Sequence, residues 1–366
     1  MEKGNRTRLG IIFGGRSGEH EISIRSASAV ISALDDKLFD IVPMMISKSG
    51  KWLSPRESFE ALNPQAQRCL RIDTEWNQIG LPGLLGSGEE FSSRIDVYFP
   101  ILHGTFGEDG TIQGLFELAD VPYIGCGVLS SACAMDKVVM KELFIKHGLP
   151  VCKYIWFLRE QWESDSRPQA LRVETEIGFP CFVKPANLGS SVGVSRAANG
   201  EELARAVELA SRYDRKIVVE ECLEMREIEC GILGNANPEA SLPGEYIVKE
   251  PSKSFLDYEE KYAGTGNNEF VVPSPISSEL AEAIRSLAKT AFMAVDGAGL
   301  SRVDFFLTSD GKLLVNEINT MPGLTESSGF PKMWAESGRT MNDVVIRLVE
   351  LALERYADRR RNKTTL

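Results

Sequence analysis

Two β-rich runs, Ser301-Arg302-Val303-Asp304-Phe305-Phe306-Leu307 and Leu313-Leu314-Val315-Asn316-Glu317-Ile318-Asn319, flank the segment Ser309-Asp310-Gly311-Lys312. Asp-Gly between such runs signals a two-residue hairpin turn, because both central positions must accept positive φ. With Asp310 and Gly311 as the turn, Ser309 opposes Lys312, Asp304 opposes Glu317, and Arg302 opposes Asn319. Side chains alternate along a strand, so all four site residues point to one face. Two carboxylates side by side repel unless a cation joins them, and Asp, Glu and Asn oxygens suit Mg²⁺. Arg302 beside them suits a phosphate or an oxyanion. The competing reading is a solvated hairpin face with a surface ion pair, against which the apolar neighbours weigh.

The rest of the chain supplies a setting for that hairpin. Residues 9–13, 41–46 and 95–102 read as buried strands and 19–34 as an amphipathic helix, which together suggest a small parallel α/β unit. Residues 54–93 lack periodicity and read as a surface excursion. A helix over 130–147 stops at Gly148-Leu149-Pro150. Strands at 181–184, 192–195 and 217–220 with a helix at 200–211 suggest a second, mixed unit. Strands at 228–233 and 244–248, a polar loop at 251–269, and helices at 277–294 and 341–356 complete a third. The boundaries expected are 1–130, 131–226 and 227–366, as 366 residues exceed what one core accommodates.

Charge and cysteine usage narrow the class. A net charge of -11 argues against nucleic acid or an anionic membrane as partner. The apolar run at 9–13 is too short for a signal core or a membrane span, and seven cysteines without a CxxC pair suit a reducing compartment. The expectation is a cytoplasmic enzyme of α/β (α+β) class.

Four further segments carry candidate chemistry. Lys184 precedes the small-residue loop Asn187-Leu188-Gly189-Ser190-Ser191, whose free amides can cradle phosphate, although a plain flexible hairpin reads the same. Glu220 and Glu227 lie at a strand end and suit an adenine amine and ribose hydroxyls, or simply solvent. Glu19 sits where a strand meets a helix N-terminus, a place that binds anions, but the turn lacks the G-x-G-x-x-G of a dinucleotide site. His103 leaves the third strand in a glycine-punctuated loop, and Lys137 is a helix lysine that reads locally as surface.

In order along the chain, GGRSGEHEIS, LHGTFGEDGTIQGLFE, AMDK, FVKPANLGSSVGV, REIECGILGN, LDYEEKY, RVDFF and NEINTMPGLT resemble the D-alanine–D-alanine ligases of the ATP-grasp superfamily. The resemblance implies three domains, with an N-terminal Rossmann-like unit and ATP gripped between the other two. It implies that Lys137, Lys184, Ser190 and Ser191 hold ATP phosphates, that Glu220, Leu223 and Glu227 contact adenine and ribose, and that Lys261 and Asn316 also touch the nucleotide. Asp304, Glu317 and Asn319 match ligands of two Mg²⁺ ions, with Mn²⁺ as a substitute. Glu19, linked to Ser190 and Tyr262, would orient the first D-alanine's ammonium, and His103 would lie beside its carboxylate. Arg302 and the Gly323 amide would stabilise the tetrahedral intermediate, Ser328 would hold the second D-alanine, and 251–269 would be the lid. The implied activity is ATP-dependent D-alanyl-D-alanine synthesis for peptidoglycan precursors by a homodimer. D-Serine or D-lactate are alternative acceptors, because Gly329 replaces the bulky residue usual after Ser328 and is expected to leave space there. A nucleotide-cofactor oxidoreductase and a non-catalytic ATP-binding regulator are the rival classes. The first lacks its glycine turn, and the second would have lost metal carboxylates that are present.

Overall fold

A run of apolar residues buried on both faces makes β1 (Thr7–Gly14) the middle of a parallel sheet, order β2-β1-β3, with β2 (Phe39–Ile46) and β3 (Val97–Ile101). This is a computed structural model, and it describes residues 6–70, 95–189, 192–248 and 268–363. Helix α1 (His20–Ala33) packs on the sheet through Ala27, Val30 and Ile31. The excursion expected to be irregular instead opens with two short helices, α2 (Pro55–Glu60) and α3 (Pro64–Cys69). Each has Pro at its start and a capping side chain before it, Ser54 or Asn63. Helix α4 (Thr111–Leu118) follows β3.

The helix expected over 130–147 is two helices, α5 (Val128–Met135) and α6 (Lys137–Lys146). Asp136 separates them because its carboxylate accepts from the amides of Val138 and Val139, an N-cap that outcompetes continuation of α5. The second sheet is antiparallel in the order β4-β7-β5-β6: β4 (Tyr154–Leu158), β5 (Cys181–Pro185), β6 (Ser195–Ala197) and β7 (Lys216–Glu221). Between them lie α7 (Arg159–Ser164), α8 (Ser166–Arg172) and α9 (Gly200–Ser211). Its buried core, from Ile155 to Val219, draws on no residue of the other sheets.

The third sheet has the order β11-β10-β8-β12-β13, with β9 paired to β8. Its strands are β8 (Met225–Gly234), β9 (Glu239–Ala240), β10 (Gly244–Val248), β11 (Asn268–Val271), β12 (Gly299–Thr308) and β13 (Leu313–Asn319). Helix α10 (Ser278–Ala294) covers it through Ile284, Ala288 and Phe292, a core that α6 shares through Met140 and Phe144. Helices α11 (Gly329–Glu336) and α12 (Met341–Arg359) join it to the first sheet: Phe330, Trp334, Val344 and Leu348 share one cluster with Leu9, Phe13 and Phe99. Among the described residues no helix is long and apolar enough to cross a membrane.

The β12–β13 hairpin departs from the expected turn and still delivers the expected pairs. Thr308 pairs with Lys312, so the tip has three residues rather than two. One residue of register is thereby lost, and Phe305 faces Val315. A bulge at Asn316 restores it, so Asp304 faces Glu317 and Arg302 faces Asn319. The lid residues 251–267, with Lys261 and Tyr262, and the flap residues Ser190 and Ser191 lie outside the described residues.

Candidate active site

Two adjoining clefts, of about 890 and 830 Å³ and open to solvent, meet where Lys137, Gly189 and Glu317 line both. Glu19, His103, Arg302, Asn319 and Gly323 line the first, and Lys184, Glu220, Leu223, Glu227, Asp304 and Asn316 line the second.

At the junction stands the hairpin face. Arg302 forks onto Asp304 with both N–O distances at 2.7 Å and lies 3.4 Å from Glu229 of β8. The Asn319 amide donates to the same Asp304 carboxylate at 3.0 Å. Lys137, the first residue of α6, donates to the Leu188 carbonyl at 2.9 Å and lies 3.1 Å from Glu317. Its side chain is 11% exposed, so it is a cleft lysine and not the surface lysine its helix suggests. Asp136, at the cap, pairs with Lys216 at 2.5 Å, and Asn187 donates to Asp136 and Asp214, tying the glycine-rich loop to α6.

The first cleft reaches the carboxyl edge of the parallel sheet. His103 is buried, with Nδ1 3.0 Å from the Met321 carbonyl and Nε2 2.9 Å from Ser26 Oγ. A carbonyl can only accept, so Nδ1 carries the proton and Nε2 accepts from the hydroxyl. Burial lowers the His103 pKa against the opposing pull of Glu19, consistent with this neutral form. Gly104 has φ +72, which favours glycine, and a Cβ there would lie 2.5 Å from Glu19 Oε2 and push that carboxylate aside. The Gly104 amide donates to Glu108 Oε1 at 2.8 Å. Glu19 and Glu108 thus close on one glycine, and burial first, then the Glu19 charge, pushes the Glu108 carboxyl up to about 8. Ser26 and Glu108 were not singled out in the sequence: a helix serine and an acid in an Asp-Gly loop carry no pattern that marks them.

In the second cleft, Glu220 of β7 and Lys184 of β5 lie on one face of neighbouring strands, 2.7 Å apart. Lys141 of α6, wholly buried, meets the other Glu220 oxygen at 3.2 Å. Burial raises the Glu220 pKa, yet the two lysines prevail and hold it at about 2. Phe182, Leu223, Met225 and Phe306 give this cleft apolar walls. Asn316, the bulged residue, has its Oδ1 buried with no hydrogen-bond partner among the described residues. A buried oxygen without a donor beside Asp304 and Glu317 is what a hard cation or its bound water would satisfy, so these residues fit Mg²⁺.

Beyond β13, Ser328 is buried at the start of α11, its hydroxyl 2.7 Å from that of Thr325. A Cβ on Gly323 would fall 2.8 Å from Ser328 Oγ, which places those two residues side by side. The space expected at Gly329 is filled. A Cβ there would meet Glu229 Oε2 at 2.3 Å and the Phe270 ring at 2.7 Å.

A parallel α/β unit beside two antiparallel sheets, with the cations and acids of both sheets facing one cleft, defines the ATP-grasp class of ligases. Residues 8–126 match the family model described as D-ala D-ala ligase N-terminus, and 143–350 match D-ala D-ala ligase C-terminus. The chain belongs to the D-alanine–D-alanine ligase family. It is 46% identical to the D-alanine–D-alanine ligase of Bacillus licheniformis, over 98% of this chain and 99% of that one. Among solved structures it resembles the D-alanine-D-alanine ligase from Coxiella burnetii (33% identity, TM-score 0.78, covering 97% and 96% of the chains). It also resembles the VanG D-Ala:D-Ser ligase from Enterococcus faecalis (30% identity, TM-score 0.76, covering 95% and 100%).

Proposed function

We propose that this ligase joins two D-alanines at the cost of ATP, with the amino acids in the first cleft and the nucleotide in the second. The observation that carries the reading is the junction: Arg302, Asp304, Glu317, Asn319 and Lys137 meet where the two clefts meet. Glu19 holds the first D-alanine's ammonium, and neutral His103 lies beside its carboxylate without adding charge. That carboxylate attacks the γ-phosphate, giving an acyl phosphate and ADP. The second amine, held near Ser328, adds to the acyl carbon, loses a proton and expels phosphate. Arg302 and the Gly323 amide face the oxygen that becomes negative. Lys137 and Lys184, now on Glu317, Leu188 and Glu220, turn to the phosphates. Two Mg²⁺ ions, or Mn²⁺, held by Asp304, Glu317 and Asn319 with Asn316 behind them, would neutralise phosphate charge. An acyl phosphate must be shielded from water, a task assigned to 251–269 and the 190–191 flap. The reading carries with it a homodimer, which light scattering checks.

The test is phosphate release and dipeptide measured together with ATP, Mg²⁺ and D-alanine, with D-serine and D-lactate offered as competing acceptors. Phosphate released one-for-one with D-alanyl-D-alanine is expected. ATP binding without D-alanine-dependent turnover would sink the reading.

A further inference from the structure

The wholly buried Lys141 has no place in the steps above, and a buried ammonium is costly unless it is paired. Its Nζ lies 3.2 Å from Glu220 Oε1, 3.5 Å from Cys152 Sγ and 5.7 Å from the centre of the Tyr154 ring. Tyr154 pairs directly with Glu220 across β4 and β7, so its ring lies on the same face of the sheet and covers the ammonium, and Lys141, unlike Lys184, does not line the cleft. Glu220 Oε2 faces Lys184 at 2.7 Å, and Lys184 lines the cleft. The carboxylate is therefore held by two cations of different standing: one is walled in, and one can leave.

We infer that Lys141 is a positioning residue for nucleotide selection, the fixed counter-ion that keeps Glu220 ionised and aimed when Lys184 leaves it for the phosphates. The inference rests on the reading that Glu220 accepts a hydrogen bond from the adenine amine. With Lys184 gone, Glu220 Oε2 is free for that amine while Oε1 keeps its 3.2 Å ion pair with Lys141. Base and phosphate binding are then coupled through one lysine exchange. Without Lys141, Glu220 would face the base with no cation beside it, and burial would favour its protonated form, which has an oxygen fewer to offer as an acceptor.

The test compares ATP with purine riboside triphosphate, which lacks the amine, in the wild-type enzyme, Lys141→Met, Glu220→Gln and the double variant. In the wild type, ATP is expected to have the lower KM by roughly ten- to a hundredfold. Lys141→Met should raise the ATP KM by a similar factor and bring the two nucleotides within about twofold of each other, with kcat and the D-alanine KM little changed. In the Glu220→Gln background, Lys141→Met should add nothing to the ATP KM, because the lysine acts through that carboxylate. A merely structural lysine would raise both nucleotides' KM together and leave their ratio intact, which overturns the inference. If Lys141→Met does not fold, Lys141→Gln and the charge-keeping Lys141→Arg replace it, and loss of the preference in the first with retention in the second is the expected pattern. No preference in the wild type would instead show that Glu220 does not read the amine, so the failure would lie in the underlying reading.

Discussion

Glu220 and Glu108 are two enclosed carboxyls, one in each of the two adjoining clefts, and their acidities are displaced in opposite directions. Glu220 is held at about 2 and Glu108 is pushed up to about 8, from the same ordinary value of 4.5. Burial acts on both in the same sense, so the neighbours decide. Glu220 has two lysines within 3.2 Å, whereas Glu108 has a second carboxylate, Glu19, as its chief neighbour after burial. On the proposed roles, the nucleotide end is thus charged in advance, as suits a ligand that always carries the same amine. On the same proposal the amino-acid end is under-charged until a substrate ammonium arrives, so binding the first D-alanine should release a proton near neutral pH.

The comparison breaks first at Arg302, whose charge is felt at His103 and Glu108 while its fork lies on Asp304. Arg302→Met should lower kcat by about 10²- to 10³-fold in a coupled ADP assay, and a loss below tenfold would remove it from the chemistry. Glu19→Gln should come next, raising the D-alanine KM by roughly ten- to a hundredfold while leaving the ATP KM alone. It should also move the proton release to lower pH, because Glu108 loses its like-charged neighbour.

Stability of the ligand-free protein sharpens the contrast further. A carboxyl whose folded pKa is raised binds more protons folded than unfolded between 4.5 and about 8, so its stabilising contribution fades as pH climbs through that window. Glu108→Gln should therefore flatten the fall in thermal midpoint between pH 5 and 8, by a few degrees at most. Glu220 runs the other way: its contribution stands above 4.5 and is lost as pH falls towards about 2. The smallest effect is a control. Asp165 also has its pKa lowered by a cation, Arg167, but the pair is solvent-exposed. Arg167→Ala should leave the thermal midpoint unchanged within error, and a measurable drop would mean that partners alone, without burial, set these effects.

Much of this was legible in the sequence because it is local. Alternation and an Asp-Gly tip were enough to place Asp304 opposite Glu317 and Arg302 opposite Asn319, although the turn was misjudged by one residue and the Asn316 bulge compensates. The stop between α5 and α6 was not legible, because Asp136 interrupts the helix by capping rather than by being a helix breaker. Lys141 and Ser26 carry no signal for a different reason: each sits on a helix whose pattern explains it locally, and its partner, Glu220 or His103, is far away in the sequence. Gly329 reads as empty space in the sequence, which shows which side chain is missing and not which neighbours fill the gap, here Glu229 and Phe270.

The bulge at Asn316 also separates two parts of the hairpin. Arg302 and Asp304 are fixed from the other side by β8, facing Gly231 and Glu229. The turn at the far end can therefore change length without moving the Arg302–Asn319 and Asp304–Glu317 pairs, much as a slack joint isolates a bearing from the shaft outside it. Asp310 and Gly311 are consequently the place to graft an epitope or a fluorophore, since Ser309 beside them is held by the Glu224 carbonyl and the turn lies outside the paired residues of β12 and β13.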